Sequence, residues 1–226
     1  MDDKGVLNGT KTLVLNGSNA EKLIVACNKD DIFNLILVDT KTDGVSLNSF
    51  STVDGQSCSE ISFENVQLDN SNIIASGDEA ISLIKDSLNL ATLCISAEAV
   101  GCMESCYLKT LQYTKDREQF GQPISSFQVL QHRMVDMFME YEQCKSLLYM
   151  ATMKHEEGAP DAKKAISGLK YQVGKAGKFI GQQAVQLHGG MGVTDELNVG
   201  HYFKRLTTVG TIFGNTDYHL KKYTSL

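Results

Sequence analysis

The sequence predicts an α+β protein in which a small antiparallel β-domain (residues 1–78) is followed by an antiparallel four-helix bundle (residues 79–226). Two observations predict this order. Short β-prone runs with turn signals between them occupy the first third of the chain, and apolar residues recur with a period near 3.6 after about Ile81. Strand and helix signals are therefore segregated and not alternating, which argues against a doubly wound nucleotide-binding fold.

The first domain is predicted from four short runs rich in β-branched and aliphatic residues, at 11–17, 22–27, 33–38 and 59–63. The last run alternates polar and apolar side chains, as a half-buried strand does. Three dipeptides whose residues tolerate positive φ are hairpin signals: Asn8-Gly9, Asn16-Gly17 and Asp54-Gly55. We expect one small antiparallel sheet that is too short to close a hydrophobic core of its own.

The first helix is predicted from about Ile81 to about Tyr113, and Pro123 marks the break that follows it. Ser125 with Gln128 three residues later resembles a capping box, so a second helix is expected from there. Its apolar residues recur at steps of three and four: Phe127, Leu130, Met134, Met137, Tyr141, Cys144 and Leu148.

A third helix is predicted after Pro160, with Asp161 as its N-cap and Gly189-Gly190 at its end. One face carries an apolar stripe: Ile166, Leu169, Val173, Ala176, Ile180, Ala184 and Leu187. The tail from His201 onward predicts one or two shorter helices. Long amphipathic helices joined by short loops favour an antiparallel bundle.

Composition excludes several classes of protein. Hydrophobic residues make up 42% and charged residues 21%, which argues against disorder. The net charge of −6 gives no electrostatic footprint for nucleic acid. No apolar run approaches the roughly 20 residues of a membrane span, and no secretory signal is recognisable at the N-terminus.

The six cysteines fit neither a compact disulfide framework nor a zinc site. We therefore expect reduced thiols, a cytoplasmic location and no metal.

Three clusters of residues could carry chemistry, and each also has an ordinary structural interpretation. Arg117 stands between two helices next to Phe120 and Gly121, where it can reach an anion or pair with a carboxylate. Gln186 precedes Gly189, Gly190 and Gly192, and closely spaced glycines let a backbone approach a phosphate or end a helix. His188 is either a ligand or base, or a satisfied structural histidine. The third cluster, at residues 201–206, includes Lys204 and Arg205, and its ordinary interpretation is the exposed and buried faces of a helix.

The order of these motifs resembles the acyl-CoA dehydrogenase family. The chain carries R-x-x-F-G-x-P-I-x-x-F-Q-x-x-Q (residues 117–131), then Q-x-x-G-G-x-G (186–192), then a Lys-Arg-Leu helix. In the first half, the Leu7-Asn8-Gly9-x-Lys11 segment, Asn16-Gly17 and the strand at 59–66 resemble the β-domain of that family. The resemblance covers essentially the whole chain.

The resemblance implies FAD-dependent α,β-dehydrogenation of an acyl-CoA thioester at a subunit interface of a homo- or hetero-oligomer. It places Arg117 at the pyrophosphate of FAD held largely by the neighbouring subunit, with Phe120 and Gln128 alongside. It also places four residues at the adenosine end: Gln186, Gly189, Gly190 and Gly192.

The chain departs from the family pattern where the family carries its catalytic base. The two positions that hold the base carboxylate in different family members fall on Phe213 and Ala91, and neither side chain can accept a proton. Glu98, about two turns beyond Ala91, is a substitute in principle, although a solvated or interface glutamate is the ordinary interpretation. Flavin-side positions of the β-domain fall on Leu13 and Leu15, so no hydroxyl remains there.

Three functions stay open at this stage. The leading hypothesis is a base-lacking subunit that pairs with a base-bearing subunit, so that the isolated chain is inactive. The second is the C-terminal part of an ordinary homo-oligomeric dehydrogenase with an unrecognised base. The third is a non-catalytic scaffold or binding protein. Because the family has an N-terminal helical domain and a flavin loop before the Leu-Asn-Gly segment, we expect a fragment, a split subunit or a domain.

Overall fold

The computed structural model describes residues 1–2 and 5–226, and the chain divides into two compact units, Met1–Ser87 and Leu88–Leu226. Residues 3 and 4 of the predicted β-domain lie outside the described residues. The predicted boundary at residue 78 falls at the start of the first helix. The first unit extends further because Ala80 and Ile84 of that helix pack with Leu35 and Ala75 of the strands.

The first unit contains two three-stranded antiparallel sheets, one with strand order β1-β5-β4 and the other with order β2-β3-β6. The strands are β1 (Val6–Leu15), β2 (Lys22–Lys29), β3 (Ile32–Asp39), β4 (Val45–Ser51), β5 (Ser57–Gln67) and β6 (Ile73–Ser76). The alternating segment at 59–63 lies in β5, the central strand of the first sheet, where Ile61 and Phe63 are buried and Glu60 is exposed.

The β unit has a hydrophobic core of its own, built from strands of both sheets. Its fully buried members are Leu7, Leu23, Val25, Ile36, Val38, Ile61, Phe63 and Val66. The expectation of a single sheet without its own core is therefore wrong. Two sheets supply two apolar faces, and each buries the other from water.

The three predicted hairpin signals have three different outcomes. Asp54-Gly55 does lie in the turn between the paired strands β4 and β5. Asn8-Gly9 lies inside β1 at a register shift, where the Asn8 side chain accepts a hydrogen bond from the Asn65 N–H at 2.8 Å. That dipeptide forms a bulge and not a turn. Asn16-Gly17 opens a short 3₁₀ turn that leads from the first sheet to the second.

The helices are α1 (Gly77–Asp116), α2 (Gln128–Glu156), α3 (Ala162–His188), α4 (Asn198–Val209) and α5 (Thr216–Ser225). Strands first and helices afterward confirm the predicted α+β class. Asp161 is the N-cap of α3, and Gly189 at φ 60° follows its last residue, as predicted. The capping box at Ser125 is wrong, because Phe127 is the N-cap of α2 and has no side-chain cap.

The helical unit is organised around α3, which packs against α2, α4 and α5. The apolar stripe predicted on α3 is buried in one core together with side chains of α1, α2 and α4. By length and composition, α1 is the one helix among the described residues that could cross a membrane. Core helices meet the same requirement, so the absence of a membrane span stays a prediction.

Candidate functional site

The two predicted anion-binding clusters meet in one open cleft of about 560 Å³ in the helical unit. One wall comes from the segment that follows α1 and the other from the end of α3. The cleft is lined by Tyr113, Arg117, Gln119, Ile124, Gln186, Leu187, His188, Gly189, Gly190 and Met191. Arg117 carries the positive charge of this lining. The structure thus brings Arg117 together with Gln186, Gly189 and Gly190.

A short hairpin fixes the backbone of Arg117. The strands β7 (Glu118–Gln119) and β8 (Gln122–Pro123) pair, and Phe120 and Gly121 between them have φ of 57° and 78°. Two residues with positive φ form the tight turn that matches the twist of paired strands. The Arg117 carbonyl accepts a hydrogen bond from the Ile124 N–H at 2.8 Å, so the hairpin is closed at its base.

Phe120 stands at the tip of this hairpin with 92% of its surface exposed. Its ring meets Phe127 edge to face, with 6.1 Å between the centroids. Phe120 and Gln128, the exposed first residue of α2, do not line the cleft.

The glycines at the end of α3 have two different roles. A Cβ atom at Gly189 or Gly190 would meet no other atom within 4 Å, so the backbone there is open to the cleft. Gly192 is buried, and a Cβ atom at that position would lie 2.6 Å from the Val185 carbonyl oxygen. Close packing therefore requires glycine at 192, whereas the approach of a ligand can use 189 and 190.

His188 forms part of the floor of the cleft and is stacked on Tyr113, with 4.3 Å between the ring centroids. Its Nδ1 donates a hydrogen bond to the Ala184 carbonyl at 2.8 Å. Burial lowers the pKa of His188 below its ordinary value. The imidazole is thus neutral near pH 7 and held in place, so the cleft owes its charge to Arg117.

The two family positions for the base lie elsewhere in the helical unit. Ala91 is half-buried on α1. Phe213 has φ of 57° and packs against the helical core in the Val209–Gly214 turn, which links α4 to α5. Neither position supplies a carboxylate.

Glu98, the substitute base, is held in an ion pair that the sequence did not predict. The Arg205 Nε donates to one carboxylate oxygen at 2.5 Å, and the Arg205 Nη2 donates to the other at 2.8 Å. A bidentate pair of this kind fixes the orientation of the carboxylate. Each oxygen of Glu98 thus already accepts one hydrogen bond from Arg205.

The β unit contains the two other positions, Leu13 and Leu15, at which the sequence departs from the family pattern. Leu13 lies at a register shift of β1 with φ of 53°, and 67% of its surface is exposed. Leu15, at the end of the same strand, is 45% exposed. Both side chains present hydrocarbon to the surface, so neither offers a hydroxyl there.

Two buried polar side chains, which the sequence analysis missed, lie against the Val209–Gly214 turn. Lys170 of α3 is 1% exposed, and its Nζ donates to the carbonyls of Val209 and Gly214 at 2.9 and 3.0 Å. His219 of α5 is also 1% exposed, and its Nε2 donates to the Phe213 carbonyl at 3.0 Å. A helical-wheel argument could have found Lys170, which falls within the apolar stripe of α3.

We expect the stability of the chain to fall between pH 6.5 and pH 4 because of His219. Burial lowers the pKa of His219 to about 4, and the charges of Lys170 and Lys222 act in the same direction. The unfolded chain therefore binds a proton at this residue before the folded chain does, and the stabilisation present above about pH 6.5 is lost on acidification. The loss is on the order of 3 kcal/mol.

Urea unfolding between pH 7 and pH 4 measures this effect. His219→Gln keeps an amide donor for the Phe213 carbonyl and does not titrate, so its stability should change less with pH. His201→Gln, which alters an exposed histidine, is the matched control. Parallel profiles for the original chain and His219→Gln would contradict the assignment.

The described residues contain no group of three His, Cys, Asp or Glu side chains that could hold a metal ion.

Comparison with known proteins gives one consistent family. The family model described as "Acyl-CoA dehydrogenase, C-terminal domain" matches residues 81–223. The chain is 32% identical over 206 residues to the probable acyl-CoA dehydrogenase YngJ of Bacillus subtilis, covering 87% of this chain and 54% of that protein. It is 30% identical to the mitochondrial short/branched chain specific acyl-CoA dehydrogenase of Bos taurus, covering 96% and 52%. The chain thus spans about half the length of these relatives.

Solved structures agree with these matches. The structure described as PigA with FAD and proline superposes with a TM-score of 0.91 at 27% identity, covering 97% of this chain and 59% of that one. The Tcur3481-Tcur3483 steroid ACAD variant superposes with a TM-score of 0.85 at 27% identity, covering 100% and 60%. Butyryl-CoA dehydrogenase from Megasphaera elsdenii, at 23% identity and a TM-score of 0.90, shares the fold.

Proposed function

We propose, since this chain belongs to the acyl-CoA dehydrogenase family, that it supports the FAD-dependent α,β-dehydrogenation of an acyl-CoA thioester as a subunit that needs a partner for the catalytic base. One observation carries the proposal. The chain keeps an assembled anion-binding cleft around Arg117 but has no carboxylate at either position where the family holds its base.

The residues of the cleft fit the phosphate and adenosine parts of FAD. The guanidinium of Arg117 offers a planar fork of donors that matches phosphate oxygens. Gly189 and Gly190 leave the backbone open to a ligand, and the Gln186 side chain provides an amide beside them. When bound, FAD supplies the acceptor for the hydride that leaves the β-carbon of the substrate. PigA, which has this fold, has been solved with FAD.

We assign Arg117, Gln186, Gly189 and Gly190 to a flavin held largely by a neighbouring subunit, because the cleft is open on the surface of the helical unit. Phe120 and Gln128 lie outside the cleft lining, and both are exposed. They belong to the proposed site as surface that the neighbouring subunit covers. Gly192 contributes through the close packing that shapes the end of α3.

Because this chain lacks a base at both family positions, the catalytic base would come from a partner subunit. The α-proton of a thioester needs a positioned base to leave at a useful rate. Phe213 and Ala91 cannot act as bases, and Glu98 is held by Arg205. A partner subunit of the same family, with a glutamate at the position corresponding to Phe213, would supply the base. The Tcur3481-Tcur3483 steroid ACAD, whose name joins two components, fits such an arrangement.

The ion pair between Glu98 and Arg205 and the cleft around Arg117 distinguish the supporting subunit from the self-sufficient enzyme and from the scaffold. A homo-oligomeric enzyme that uses Glu98 as its base would rely on a carboxylate whose two oxygens already accept hydrogen bonds from Arg205. A scaffold that had lost all chemistry would need no cationic cleft. The cleft therefore favours the supporting subunit over the scaffold, and the ion pair favours it over the self-sufficient enzyme.

We expect the chain to form an oligomer, because apolar side chains are exposed along α2. Those with more than half of their surface exposed are Val129, Val135, Met139, Tyr149 and Met153. A groove of about 530 Å³ between α2 and α3 is lined in part by Phe138, Met139 and Phe179. Exposed apolar side chains beside such a groove are available to pack against another subunit.

Size-exclusion chromatography with light scattering should show a species larger than a monomer at micromolar concentration. Met139→Asp places a charge in the groove and should shift the chain towards the monomer. Asn48→Asp, which adds the same charge to an exposed strand position of the β unit, should leave the distribution unchanged. A clean monomer for the original chain would count strongly against the proposal.

A further inference from the structure

The Val209–Gly214 turn is held by an unusual set of hydrogen bonds. Three of its carbonyl groups, those of Val209, Phe213 and Gly214, accept hydrogen bonds from two buried side chains, Lys170 and His219. The donors come from α3 and α5, and the turn lies between α4 and α5. The turn is thus hydrogen-bonded to α3 at its beginning and to α3 and α5 at its end.

These bonds are strong constraints because of where they are made. Lys170 is almost fully buried, and its ammonium group is satisfied by main-chain carbonyls in a site that a charged group enters at a cost. His219 uses Nε2 on the turn, and its Nδ1 is buried with no hydrogen-bond partner among the residues that the structure describes. If the turn moved away, buried donors and acceptors on both sides would be left unpaired.

The backbone conformation of the turn also indicates that its surroundings hold it in place. Phe213 has φ of 57° and Gly214 has φ of 108°. Positive φ is costly for a bulky side chain such as phenylalanine and persists only when the surroundings enforce it. The hydrogen bonds that the Phe213 and Gly214 carbonyls accept from His219 and Lys170 are placed to enforce this backbone conformation.

We propose that Lys170 and His219 are positioning residues: they, and not the side chain at position 213, set the course of the Val209–Gly214 turn. The meaning of this inference rests on the proposed function, in which position 213 is the base position of the family. In that function, the turn that would carry the base is held in place by Lys170 and His219 although Phe213 occupies the position of the base. A carboxylate introduced at position 213 would therefore leave the backbone in the direction that the Phe213 side chain takes now.

Hydrogen exchange of the turn amides, measured by mass spectrometry on the full chain, tests the inference. The N–H groups of Gly210, Thr211, Ile212 and Gly214 bond to carbonyls of residues 206, 208 and 211, so their exchange reports opening of the turn. Lys170→Met keeps the length of the side chain and removes the donors. We expect it to raise exchange at these amides by about tenfold or more, with exchange in the middle of α2 unchanged.

Five further variants, one of them a control, separate a positioning role from a role in general packing. Lys170→Gln, which restores amide donors, should recover part of the protection. His219→Leu should raise turn exchange and His219→Gln should not, so the inference stays testable if Lys170→Met fails to fold. Phe213→Glu should leave turn exchange unchanged. Lys178→Met, an exposed lysine of the same helix, is the control.

Unchanged turn exchange in both Lys170→Met and His219→Leu would overturn the inference. Exchange that rises equally in α2 and in the turn would also overturn it, because it would show a general structural role. A rise in Phe213→Glu as large as that in Lys170→Met would show that the phenylalanine holds the turn. The measurement needs neither flavin nor partner, so its outcome is separate from that of the proposed function.

Discussion

Arg117→Ala is expected to weaken FAD retention by roughly ten- to hundredfold in the assembled protein. A hydrogen bond to a charged group contributes about 1.5–3 kcal/mol, and each 1.4 kcal/mol corresponds to about tenfold in affinity. Arg117 is the charged member of the cleft lining, and no neighbouring side chain of that lining replaces it. Flavin release on dilution, followed by fluorescence, measures the effect.

Arg117→Lys should restore only part of the affinity, because lysine keeps the charge and loses the planar fork. Lys115→Ala is the matched control, since Lys115 is an exposed cation two residues away that does not line the cleft. Unchanged flavin affinity in Arg117→Ala would return Arg117 to the role of a linker residue. An equal loss in Lys115→Ala would attribute the effect to overall charge.

The second large effect is an absence of activity: the isolated chain, loaded with FAD, should not dehydrogenate acyl-CoA. A positioned general base contributes roughly a hundred- to ten-thousandfold to proton abstraction. The chain has Phe213 and Ala91 at the base positions, and Leu15 removes a hydroxyl that the family uses beside the flavin ring. An assay with a dye acceptor and a panel of acyl-CoA thioesters measures the turnover.

If the isolated chain does turn over acyl-CoA, the Glu98→Gln variant tests whether Glu98 is its catalytic base. Glu98, about two turns beyond Ala91 on the same helix, is the substitute base, and its carboxylate is paired with Arg205. Turnover that disappears in Glu98→Gln would make Glu98 the base and support the self-sufficient enzyme. Arg205→Leu then serves as the complementary variant, because it frees the carboxylate without removing it.

Local patterns predicted the helices well, and contacts between distant segments limited the prediction of the sheets. The stripe from Ile166 to Leu187 predicted α3 with both of its ends, because Asp161 and Gly189 mark them. The predicted segments overlap β1, β2, β3 and β5, whereas β4 and β6 were missed. The division into two sheets depends on pairing between residues far apart. Lys11 pairs with Ile61, and Asn34 pairs with Ser76. A periodicity within one segment carries no information on such pairing.

Side-chain signals in turns were ambiguous for a related reason. Asn-Gly predicts a hairpin because both residues tolerate positive φ, but a bulge uses the same freedom. At Asn8-Gly9 the decisive contact is the bond from the Asn65 N–H to the Asn8 side chain. Asp54-Gly55 is flanked by strands that pair with each other, so there the simple rule holds.

The candidate site was predictable where a motif names its residues, as at Arg117 and Gly189-Gly190. The motif could not show that the two segments share one cleft, nor that Gly192 is buried. The partners of Glu98 and Lys170 were missed, because Arg205 and the Val209–Gly214 turn lie far along the chain from them. Lys170 carried a signal nonetheless: a lysine between Ile166 and Val173 on an apolar stripe is placed to be buried.

Reconstitution with a partner tests the central claim most directly. This chain is combined with a base-bearing acyl-CoA dehydrogenase subunit, and dye-linked turnover of acyl-CoA is compared for the mixed complex and for each chain alone. The account predicts turnover by the mixed complex, loss of turnover when the partner's base glutamate is changed to glutamine, and a marked decrease with Arg117→Ala in this chain. Full turnover by this chain alone, or a mixed complex indifferent to Arg117→Ala, would contradict it.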